Sequence, residues 1–61
     1  MILTAIVFFK PGTMLNPTKY RNIKGFEKFE RFAMSKFADK LQAINFYDKE
    51  TKRFIKQVKL K

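Results

Sequence analysis

The first stretch of the chain, Met-Ile-Leu-Thr-Ala-Ile-Val-Phe-Phe-Lys, carries its apolar residues in a run instead of alternating them with polar ones. Ile2, Ile6, Val7, Phe8 and Phe9 favour extended backbone. Apolar side chains on both faces mark a strand covered on both sides or central in its sheet. The pattern predicts a strand over residues 2–10, closed by a turn at Pro11-Gly12-Thr13. The apolar run from Met1 to Phe9 is far shorter than the roughly 20 residues a membrane-spanning helix needs. No positive segment precedes it and no small-residue cleavage site follows, so it reads as a strand and not as an export signal.

Residues 14–23 are mixed. Pro17 has no N–H to give to a ladder, which bars it from a central strand. Thr18 to Ile23 read as an edge strand pairing back onto the first; the competing reading is a loop leading into a helix.

Helical spacing begins after Lys24-Gly25. Phe26, Phe29, Ala33, Phe37 and Leu41 share one face at 3.6 residues per turn, with Met34 at its border. Lys28, Arg31, Ser35 and Asp39 lie opposite. A helix is predicted from about Phe26 to about Leu41. Glu27 and Arg31 are placed to pair across one turn. Glu27 and Glu30 near the start, and Lys36 and Lys40 near the end, suit the helix dipole. Phe32 falls outside the apolar stripe, for a packed edge or an exposed contact.

The last segment reads as a hairpin: a strand over 43–47, a polar turn over 48–52 and a return strand over 53–60. With Asp48 opposite Arg53, Tyr47 meets Phe54, Phe46 meets Ile55 and Asn45 meets Lys56. Tyr47, Asn45, Phe54, Lys56 and Val58 then share one face, while Ile44, Phe46 and Ile55 share the other. The order β-β-α-β-β gives an α+β fold: a small antiparallel sheet with one helix packed on one face, in a single domain over residues 1–61.

Composition narrows the chemistry. A chain of 61 residues buries a modest share of its surface, but eight Phe residues supply a large apolar area, and homodimerisation is a further source of burial. Cys and His are absent, which removes thiolate and imidazole metal ligands and the commonest general base. No glycine-rich phosphate loop is present, and Ser and Thr lack an activating partner. The expectation is a protein without cofactor, metal or catalytic residues, working in the cytoplasm.

Fourteen Lys and Arg against five acids give a formal charge of +9. That balance favours polyanions. One helix covers one sheet face, and the other still holds at least two of Val7, Phe9, Tyr47, Phe54 and Val58. An uncovered apolar face is an interface. The first reading is nucleic-acid binding with little sequence preference. Tyr47 and Phe54 offer stacking surfaces, Lys52, Arg53 and Lys56 supply phosphate contacts, and Lys19, Tyr20 and Arg21 stand beside them. In a dimer that shares the sheet face, Lys28 and Arg31, with Lys24, are left to meet duplex phosphates. No RNP-type or GxxG signature is present. The second reading is a small regulator or inhibitor, of a viral or mobile-element type, that docks on an acidic surface of a larger protein. Lys56, Lys59 and Lys61 also guard an edge strand against aggregation.

Overall fold

A strand that is apolar on both faces is stable only inside a sheet, and β1 (Leu3–Phe9) has a neighbour on each side. The computed structural model describes residues 2–60. After β1 come β2 (Thr18–Ile23), α1 (Phe26–Phe37), one 3₁₀ turn (Ala38–Lys40), β3 (Leu41–Asp48) and β4 (Phe54–Lys59). The sheet order is β2-β1-β3-β4, and every neighbouring pair is antiparallel. The residues with mixed patterning do form β2, paired to β1 as the edge-strand reading requires. Lys61, one of the residues assigned to edge protection, lies outside the described residues.

Alternation sorts the side chains. Leu3, Ala5 and Val7 of β1 and Ile44 and Phe46 of β3 are buried under the helix, together with Leu41. α1 contributes Phe29 and Ala33 to the same core. Phe46 is fully buried; its ring meets Phe26 edge-on at 5.0 Å and Phe29 at 5.9 Å between centroids. Phe9 and Phe37 form a third edge-to-face pair at 4.8 Å, at the C-terminal end of the helix. Edge-to-face rings add to the area they bury by about 0.5–1.5 kcal/mol per pair.

The register breaks once in each strand pairing. In β2, two residues span the gap opposite Thr4, and Asn22 takes φ 60° there. Tyr20 and Ile23, three apart, therefore both pack against the core. In β3, Gln42 is the extra residue between Leu41 and Ala43. In β4, Ile55 is the extra residue between Phe54 and Lys56. This last bulge corrects the hairpin register. Tyr47 does pair with Phe54, but Phe46 then faces Lys56, Asn45 faces Gln57 and Ile44 faces Val58. Lys56 and Val58 thereby move from the open face to the helix side.

The helix also ends earlier than its apolar spacing predicts. Ala38, at φ 40°, sends its N–H back to the Met34 carbonyl and turns the chain. Leu41 still reaches the core, but from the start of β3, opposite Phe9. The pair expected between Glu27 and Arg31 does not form. Among the described residues the one ion pair joins Lys56 to Glu30 at 4.0 Å, with the Lys56 ammonium 4.4 Å from the Phe26 ring centre. Among these residues, no helix is long and apolar enough to cross a membrane.

Candidate functional site

Pairing fixes what the helix leaves bare. Thr4 lies opposite Tyr47, Ile6 lies between Lys19 and Asn45, and Phe8 lies opposite Ala43. These residues, with Phe54, Gln57 and Lys59 of β4, make the open face of the sheet.

Near one end of that face, Thr4, Ile6, Lys19, Arg21, Tyr47, Asp48, Lys49 and Lys52 line an open groove of about 430 Å³. Its four cations come from two separate segments. Lys19 and Arg21 are alternate residues of β2, so period-two geometry directs both to the open side while Tyr20 between them turns to the core. Lys49 and Lys52 come from the turn between β3 and β4. That turn is pinned across the start of β1. The Lys49 backbone N–H donates to the Ile2 carbonyl at 3.1 Å, and its ammonium donates to the Asn22 side-chain oxygen. The bulge residue Asn22 thus ties the far edge of β2 to the hairpin turn.

Asp48 is the acid in the groove lining, and its carboxylate is engaged. One oxygen accepts the backbone N–H groups of Glu50 at 2.8 Å and Thr51 at 3.1 Å, which holds the turn. The Lys52 N–H donates to the Asp48 carbonyl at 2.8 Å, and Lys52 itself sits at φ 65°. Among the described residues, no acid lies within 4.0 Å of Lys19, Arg21, Lys49 or Lys52.

Tyr47 forms the wall of the groove and one half of an aromatic pair. Its ring meets Phe54 edge-on at 5.7 Å. Phe54 is 56% exposed; Phe32 and Met34 of α1 are exposed to a lesser degree. Past this pair the face turns amide-rich. Gln57 donates to the Asn45 side-chain oxygen at 2.8 Å, and the Asn45 amide donates to the Tyr47 hydroxyl at 3.3 Å. Phe8, Gln42, Ala43, Asn45, Gln57, Lys59 and Leu60 line a second groove of about 360 Å³.

Of the residues singled out in the sequence, Tyr47, Phe54, Lys19, Arg21 and Lys52 come together on this face. Arg53 is exposed at the end of the turn and does not line the groove. Tyr20 packs against Phe29 and Phe32, at 5.2 and 5.8 Å between centroids, and Lys56 lies over Phe26; both are on the helix side. Lys28 and Arg31 are exposed on α1, across the sheet from Tyr47. Sequence reasoning placed Asn45 on this face by alternation with Tyr47 but gave it no role, and it missed Lys49 and Gln57. Lys49 carried no signal without the turn geometry, whereas Gln57 follows from the true hairpin register. Among the described residues no three acidic side chains gather to hold a metal ion. No family model, curated protein or solved structure matches the chain.

Proposed function

We propose that this protein is a non-catalytic nucleic-acid-binding module that uses the open face of its sheet, with little sequence preference. The observation that carries the reading is the convergence of Lys19, Arg21, Lys49 and Lys52 beside the Tyr47–Phe54 pair, on the face that α1 does not cover. Cations without acidic partners attract phosphate and release its counterions. An exposed aromatic pair offers unpaired bases a stacking surface. An acidic protein partner is the competing reading: it would meet the same charge and cover the same rings. The scarcity of Arg, three in the chain, favours phosphate contact over readout of base edges.

Fluorescence anisotropy with a labelled oligonucleotide across a salt series tests the proposal. Binding that weakens steeply as salt rises is the expected result. Affinity that stays flat with salt, or absent binding at low salt beside recovery of one stoichiometric protein from nuclease-treated lysate, would overturn it in favour of a protein-binding regulator.

A further inference from the structure

Resting on the nucleic-acid reading, we infer that the groove between β2 and the β3–β4 turn is a phosphate seat for a single strand, and that the base beside the seated phosphate lies on Tyr47 and Phe54. Three observations converge on it. The groove concentrates four cations from two chain segments, and its one acid is already engaged by two backbone N–H groups. Its volume of about 430 Å³ falls in the range of small-ligand sites, roughly 300–1,000 Å³, enough for one nucleotide unit. Tyr47 belongs both to the groove wall and to the aromatic pair, so the phosphate seat and the stacking surface share a residue.

That adjacency selects the strand type. In a duplex the bases are paired and stacked on one another, and a phosphate drawn into the groove brings no base face to Tyr47. A single strand satisfies both subsites with neighbouring parts of the same nucleotide. The Thr4 hydroxyl in the groove lining offers a neutral donor to a phosphate oxygen, and Lys49, fixed by Asn22, keeps further N–H donors for it. The helix side has cations too: Lys56 is paired with Glu30 and covers Phe26, while Lys36 lies over the rings of Phe32 and Phe37.

Salt slopes separate this seat from diffuse charge. For single strands, log affinity falls with log salt by about 0.7 per phosphate neutralised. The double variant Lys19→Gln/Arg21→Gln is expected to flatten the slope for oligothymidylate by about 0.7, the share of the one seated phosphate, which shrinks the affinity lost between about 50 and 200 mM salt by roughly 2.6-fold. Lys49→Gln/Lys52→Gln, altered in a different segment, gives the same flattening. Lys28→Gln/Arg31→Gln, matched in charge on the helix, leaves the slope unchanged. The wild-type protein binds the single strand at least about fivefold more tightly than the matched duplex. If the wild-type protein binds with a steep slope that neither groove pair changes, the seat is wrong and the nucleic-acid reading survives. If the duplex binds as tightly as the single strand, the strand assignment is wrong. If the wild-type protein binds neither, the reading and the seat fall together.

Discussion

Phe46 and Phe54 are the same side chain, two strands' ends apart, with opposite consequences. Phe46 is fully buried against Phe26 and Phe29, and truncation leaves a cavity that its neighbours cannot fill. Phe46→Ala is expected to cost about 3–5 kcal/mol. A chain of 61 residues has a total stability of about 3–9 kcal/mol, so most of the fold is at risk. Urea denaturation followed by circular dichroism checks this, and a midpoint near that of the wild type would contradict it. Phe54 touches Tyr47 at its edge and is otherwise largely in water. Phe54→Ala should cost about 0.5–1.5 kcal/mol of stability, the share of its edge-to-face pair with Tyr47 and well below the cost at Phe46. The same change should weaken binding to oligothymidylate by about 1–3 kcal/mol, or roughly 5- to 150-fold. A stability loss as large as that at Phe46 would mean that Phe54 is ordinary core. Lys56 makes the complementary case. Its ammonium is occupied by Glu30 and the Phe26 ring on the helix side, so Lys56→Gln should leave oligonucleotide affinity within about twofold of the wild type at moderate salt.

At the scale of elements, the sequence was most readable where one period held over a whole segment. The unbroken apolar run placed β1 in the interior of the sheet, the Phe26-Phe29-Ala33-Phe37 spacing placed the buried face of α1, and the bounds of β2 agree with the reading that began after Pro17. What the chain hid were its irregular residues. A bulge adds one residue to a strand without altering composition, so Ile55 gave no warning that Lys56 would change faces. Asn22 was the one bulge residue with a local signal, since Asn tolerates positive φ better than most residues. The end of α1 was hidden for a related reason. A helix stop is usually announced by Gly, but here Ala38 adopts φ 40°. L-residues with positive φ are destabilised by about 1–2 kcal/mol, and part of that is offset by the flexibility Gly brings to the unfolded chain. Ala38→Gly should therefore stabilise the fold by about 0.5–1 kcal/mol and raise Tm by about 3–6 °C. A lowered Tm would show that the backbone there carries no such strain.

For the whole molecule, a net charge of +9 is less informative than the side on which it meets aromatic rings. The sequence reading supplied the charge, the class of fold and five of the residues that gather on the open face. It put Lys19, Arg21 and Lys52 on the correct side but misplaced Lys56 and passed over Lys49, because those two depend on the bulge at Ile55 and on the path of one turn. Once these are in place, the sides differ in kind. The helix side closes the core with Phe26, Phe29 and Phe37 and has Glu30 to answer Lys56. The open side sets Lys19, Arg21, Lys49 and Lys52 around Tyr47 with one engaged carboxylate. The claim that this side is the binding surface is tested most directly by titrating ¹⁵N-labelled protein with a short oligothymidylate and following backbone amide shifts by NMR. The account predicts shifts concentrated on Thr4, Ile6, Lys19, Arg21, Tyr47, Lys49, Lys52 and Phe54, with α1 unmoved; shifts centred on Lys28 and Arg31 would contradict it.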